Sequence, residues 1–177
     1  MAVSKSTDAY DDGLERGLRR FAEALGFDAS QTARAVECGM RQVRSLQATR
    51  DRVDDARPVA YGVIARAFLI HSAARQRAHG GRFRAKLAPA PEPQSPRPPE
   101  SERVRAALTS LPPLERALLL LVALERLSYA QAAGALGIGR DECVATLACA
   151  RAHLAILLDP ASARPTCSGR PQLRVVK

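Results

Sequence analysis

Few side chains in this 177-residue sequence are spaced for covalent chemistry. Cys149 and His153 stand four apart, so on a helix they share a face and could share a metal. A structural zinc site takes four ligands, so the pair reads more simply as a free thiol near a histidine. His71 follows an apolar run and is expected at a helix end, not in proton transfer. There is no Ser-His-Asp order, no paired-carboxylate site and no Gly-rich phosphate loop; Gly80-Gly81 is a lone breaker. No enzyme, metal or cofactor is therefore expected. What the chain offers instead is charge. The net charge is +9, and residues 58–88 carry Arg66, Arg75, Arg77, Arg82, Arg84 and Lys86 with no acid among them. The segment 159–177 is also basic. An acid-free basic stretch suits a polyanion, nucleic acid foremost, with a solvated basic linker as the plain alternative.

The elements that must position these charges are helices. Hydrophobic residues make up 46% and charged residues 25%, a globular balance, while aromatics are only 4% with no Trp. That poverty of rings argues against a site built on multiple stacked bases or sugars and against an aromatic-rich β-sandwich. The longest apolar run, Ala117 to Leu124, falls far short of the ~20 residues of a membrane span. Met1 to Gly13 is polar and acidic, unlike a secretory signal. Cys38, Cys143, Cys149 and Cys167 form no CxxC pair, so a reduced cytoplasmic compartment is expected. Neither membrane association nor homo-oligomerisation is expected.

Six prolines between Pro89 and Pro99 exclude a helix or central strand there, because proline lacks the donor and fixes φ. The expected organisation is a helical domain at 1–88, a Pro-rich linker at 89–100, a second helical domain at 101–158 and a basic flexible tail at 159–177. Helical blocks joined in this way are expected to move independently. In the first block, Tyr10, Leu14, Leu18, Phe21 and Leu25 mark one helix, ended by Gly26. Ser30 is expected to cap a second, with Val36, Met40 and Val43 inward. Asp54 or Asp55 followed by Pro58 opens a third, with Val63, Ile64, Phe68 and Leu69 buried. Four helices are expected in the second block: Ser101 to Thr109, Leu114 to Leu124, Tyr129 to Leu136 capped by Ser128, and Arg140 to Leu158. The last should bury Cys143, Leu147, Ala150 and Leu154.

Ser128 to Leu154 has the pattern of a helix-turn-helix. Ala133 lets two helices cross closely, Gly137 supplies positive φ, Ile138 is an apolar turn residue, and Cys143 and Leu147 point inward. The second helix of such a pair is the one offered to a major groove. The surrounding residues Leu111-Pro112-Pro113-Leu114-Glu115-Arg116, Leu127-Ser128-Tyr129, Ala132-Ala133, Leu136-Gly137-Ile138 and Ala150-Arg151 together resemble region four of the sigma-70 family. The similarity is closest to the small two-domain extracytoplasmic-function type. Residues Pro58 to Arg77, with Ile64-Ala65-Arg66 at the centre, are similar to the promoter-melting helix of region two. Gln31 to Arg44 fall where the family carries its polymerase-docking helix. The resemblance implies an all-α, two-domain protein that binds core RNA polymerase and promoter DNA and that meets an anti-sigma factor. It implies DNA contacts from Arg66, Arg75, Arg77, Arg82, Arg84, Arg140, Thr146 and Arg151, and polymerase contacts from Arg34, Glu37 and Arg41.

The chain also departs from that pattern. Asp141 and Glu142 open the recognition helix, whose outward positions continue with Ala145, Thr146 and Cys149. Acids at a helix start suit the macrodipole but face phosphates badly. Arg34 stands where the family favours an acid, with Glu37 the nearest substitute. Tyr61 and Phe68 are the rings available in the first block to hold an unstacked base, although the helical phase of Phe68 favours the core. These departures resemble the sigma-like domains of the alphaproteobacterial general stress response, which bind an anti-sigma factor and not promoters. A sigma-mimic role is therefore the alternative to a sigma factor.

Overall fold

The computed structural model describes residues 3–48, 55–78 and 99–159. Among the described residues are seven α-helices and no strand: α1 (Val3–Leu25), α2 (Ala29–Ala48), α3 (Arg57–Ala78), α4 (Glu100–Ser110), α5 (Pro113–Ala123), α6 (Tyr129–Leu136) and α7 (Arg140–Leu158). The all-α expectation holds. Gly80-Gly81, most of the proline-rich stretch and nearly all of the tail, with Arg82, Arg84 and Cys167, lie outside the described residues. No helix among the described residues is long and apolar enough to cross a membrane.

Local chemistry sets the helix ends. α1 stops in a Schellman turn: Gly26 has φ +88°, its N–H donates to Glu23, and the Phe27 N–H reaches back to Ala22. The same device ends α6, where Gly137 has φ +71° and the Ile138 N–H donates to Ala133. α6 begins with the expected Ser128 cap, here a full capping box with Gln131. At α2 the cap is not Ser30. The Asp28 carboxylate accepts from the Gln31 N–H at 2.8 Å and from the Ser30 hydroxyl, and the Gln31 side chain accepts from the Asp28 N–H. A carboxylate accepts more strongly from a helix N-terminus than a hydroxyl does, so Ser30 becomes a supporting donor.

These hydrogen bonds hold the Asp28 carboxyl below its ordinary 3.8, the backbone N–H of Gln31 contributing most. A carboxyl with a depressed folded value stabilises fully above its unfolded value and loses that contribution as pH falls through the folded one. The first turn of α2 is therefore expected to fray selectively below pH 3.8. Amide exchange at Gln31 followed across that range reads it; protection independent of pH down to global unfolding contradicts it.

Packing joins the two blocks. Leu14, Leu18, Phe21 and Leu25 of α1, Val36, Met40 and Val43 of α2, and Ala60, Tyr61, Ile64 and Phe68 of α3 form one apolar cluster. The same cluster continues through Leu118 and Leu121 of α5, Ala132 and Leu136 of α6, and Cys143 and Leu147 of α7. A smaller cluster, Leu111, Leu119 and Ala150 with Leu108 and Leu154, seats α4 beside α7. Instead of two blocks set apart across a linker, the described residues share one continuous core. The local patterns allow either arrangement, because a helix with a broad apolar face can bury it against its own block or another. α3 has such a face, and it meets α1 and α2 on one side and α5 and α6 on the other.

Candidate nucleic-acid interface

α6, the Gly137–Gly139 turn and α7 form the helix-turn-helix. Cys143, Leu147 and Ala150 face inward as expected, and the Cys143 thiol lies 3.6 Å from the Tyr129 carbonyl. Burial pushes that thiol above its ordinary value, so it stays protonated and acts as a small apolar side chain. The outward face of α7 presents Arg140, Asp141, Glu142, Val144, Ala145, Ala148 and Cys149, all exposed. Thr146 is half-buried on the flank, not fully outward. Arg151 is exposed, but one of its N–H groups is held by the Tyr129 hydroxyl at 3.2 Å. Arg140 is the cation best placed at the opening of the helix. Val144 is 44% exposed and Ile156 48%, which gives α7 an apolar outer surface.

His153 is engaged elsewhere: its Nδ1 lies 2.7 Å from Glu115 Oε2, tying α7 to α5, while Cys149 is exposed. Among the described residues no group of three or more His, Cys, Asp or Glu is placed to hold a metal.

In the first block, Arg34, Glu37 and Arg41 form one exposed stripe along α2, with Glu37 paired to Arg41 at 2.6 Å. Such an exposed pair contributes only about 0.3–0.5 kcal/mol, so the stripe remains open to a charged partner. On α3, Arg66, Arg75 and Arg77 are exposed, with Ile70 69% exposed between them. Arg66, however, donates to the Ala135 carbonyl at 2.8 Å, at the end of α6. Neither ring is available to a base. Tyr61 is 2% exposed and meets Phe21 edge-to-face at 5.3 Å; Phe68 is 1% exposed and meets Phe27 at 5.9 Å. The expectation of Tyr61 as a base-capturing ring is corrected: the apolar phase of α3 places it in the core.

Several polar residues that sequence reasoning passed over meet at the seam between the blocks. Arg20 of α1 pairs with the Glu125 carboxylate at 3.1 Å, and Arg57 of α3 donates to the Glu125 carbonyl at 3.1 Å. Burial, and a hydrogen bond to Glu125, push the Tyr61 phenol well above its ordinary value. The Gln131 amide reaches Asp55 at 3.3 Å. Arg116 of α5 donates to the carbonyls of Leu25, Thr109 and Leu111 and lies 5.5 Å from the Phe68 ring centre. Burial lowers its guanidinium from the ordinary value, with Arg75 adding repulsion. The only sequence signal for these contacts was a charge beside an apolar run, which names no partner.

Comparison with known proteins agrees with this geometry. Residues 101–154 match the family model described as sigma-70, region 4. No curated protein matches the chain in sequence. Among solved structures, the fold is similar to the sigma factor RpoE from Bartonella quintana, solved in complex with the anti-sigma factor NepR. The TM-score is 0.64 at 19% identity, over 87% of this chain and 97% of that one. It is also similar to the PhyRSL–NepR complex from Sphingomonas sp. Fr1, with a TM-score of 0.55 at 22% identity over 96% and 98% of the two chains.

Proposed function

We propose that this chain, which has the fold of a sigma factor and a sigma-70 region 4 domain at residues 101–154, acts in transcription initiation by binding core RNA polymerase and promoter DNA. The observation that carries the reading is the helix-turn-helix itself, with α7 unobstructed along the face opposite Cys143 and Leu147. In this reading α7 meets the −35 element through Arg140, Thr146 and Arg151. α3 supplies Arg66, Arg75 and Arg77 near the −10 element, and the Arg34–Glu37–Arg41 stripe faces the polymerase. The role is non-catalytic, cytoplasmic and monomeric. Purified protein mixed with core polymerase should yield promoter-dependent transcripts; a failure to transcribe from any genomic promoter of the host sinks the reading.

A second reading is favoured by the composition of α7. Asp141 and Glu142 followed by exposed Val144, Ala145 and Ala148 offer few donors to base edges or phosphates. Such a surface suits an amphipathic helix of a partner protein. The two solved structures compared above are complexes with NepR, named as an anti-sigma factor in the first. Under this reading the chain is a sigma mimic that sequesters an anti-sigma factor in a stress response.

Glu142→Thr separates the two. A carboxylate beside a phosphate costs about 1 kcal/mol at contact distance even in water. If α7 docks on DNA, the variant should bind a −35 duplex roughly fivefold more tightly. If α7 docks on protein, neither form binds the duplex and the variant changes affinity for the anti-sigma factor. Parallel titrations of both forms against both ligands give the answer.

A further inference from the structure

The seam between the blocks is built around one residue. Glu125 sits in the corner between α5 and α6, and its side chain is 2% exposed. Three groups of the first block converge on it: the Arg20 guanidinium on the carboxylate, the Arg57 guanidinium on the carbonyl, and the Tyr61 phenol. The backbone is bent to bring it there. Arg126, next in the chain, has φ +56°, the only positive value at a non-glycine among the described residues. Non-glycine residues in that region are strained, and such strain persists where the surroundings over-determine it.

Two glycines make room for the same arrangement. A Cβ on Gly17 of α1 would stand 2.4 Å from the Tyr61 hydroxyl. A Cβ on Gly62, in the body of α3, would stand 2.5 Å from the Ala135 carbonyl oxygen, and its three nearest atoms all belong to Ala135 in the other block. Glycine is a poor choice inside a helix, so its place here follows from the close approach of α6. Beside Gly62, Arg66 donates to that same carbonyl.

A buried ion pair adds little stability over apolar packing of the same shape, but losing one partner strands the other. The best-attested use of such a pair is to select one arrangement of the parts it joins. Glu125 is also within reach of solvent: an opening of about 590 Å³, lined by Gly13, Arg16, Arg20 and Arg57, leads to it.

We propose that Glu125 is a latch that holds the two blocks in this one arrangement and so keeps Arg66, exposed at the edge of the seam, tied to the Ala135 carbonyl. The latch rests on the preceding reading only in what a released Arg66 would bind.

The test uses the full chain with Cys167→Ser and spin labels on the two exposed native thiols, Cys38 on α2 and Cys149 on α7; Cys143 is buried. The parent should give one narrow inter-label distance. Glu125→Gln should give a broader distribution shifted to longer distance. Arg20→Gln, at a side chain 61% exposed and safe for folding, should shift it the same way but less. Gly62→Ala, which forces α6 away, marks the opened distribution. If Arg20→Gln and Glu125→Gln both match the parent while Gly62→Ala opens, the latch is overturned; if Glu125→Gln does not fold, Arg20→Gln alone decides. Unlabelled variants are then titrated with a random-sequence DNA duplex. Opening should raise the salt slope by about one unit as Arg66 is released to a phosphate. A widened distance with no DNA binding at any salt supports the latch and sinks the promoter-binding reading instead.

Discussion

Phe68→Ala should lower the stability of the folded chain by about 3–5 kcal/mol, the usual range for emptying a buried aromatic site. The ring is 1% exposed, packs edge-to-face on Phe27 and lies beneath the Arg116 guanidinium. Phe27 holds the turn after α1, and Arg116 belongs to α5, so the cavity opens under both blocks at once. For a chain of this length the loss corresponds to roughly 10 °C or more in Tm. Because the described core is continuous, the melt should remain a single transition, lowered as a whole. A calorimetric scan checks both points. A loss under 1 kcal/mol, or two resolved transitions with only one displaced, contradicts the shared core.

Arg116→Met should cost about 2–4 kcal/mol although methionine fills most of the same volume. The reason lies in what stays behind. The guanidinium donates to Leu25 at the end of α1 and to Thr109 and Leu111 at the end of α4. Helix-end carbonyls have no partner within their own helix, and a buried acceptor left without a donor costs about 1–3 kcal/mol. Opposed to this is relief of the desolvated charge, whose Nε is buried without a partner. The carbonyls of buried Leu25 and Leu111 outweigh one relieved guanidinium, whereas the carbonyl of exposed Thr109 is open to water. Arg116→Lys keeps the charge but not the fork, and should recover less than half of the loss. Denaturant titrations of both variants, and of the Phe68→Ala double variants, measure this. The Arg–Phe coupling should come to about 0.5–1 kcal/mol. A stable Arg116→Met protein would mean that water satisfies those carbonyls.

The helix-turn-helix was legible in the sequence because its determinants are local. Ser128 and Gln131 cap α6 from three residues apart, Gly137 supplies the left-handed turn, and Cys143, Leu147 and Ala150 fall on one helical face. Each is fixed by backbone geometry within a few residues, so spacing alone determines it. The cap of α2 shows the limit of that precision. Ser30 was the expected cap, but Asp28, two residues earlier and the stronger acceptor, holds the position.

The relation between the blocks was decided only by tertiary structure. Glu125 is more than a hundred residues from Arg20 in the chain, Arg116 is far from Leu25, and Arg66 is far from Ala135. No periodicity records such pairings. The sequence showed the charge of Arg66 and the ring of Tyr61 but not their surroundings. In the fold, Tyr61 is core and Arg66 is tied to the end of α6. Helical patterning states which face of a helix must be buried. Which of several apolar faces covers it, and therefore which polar groups are carried into the seam and must find partners there, depends on the packing of the whole chain.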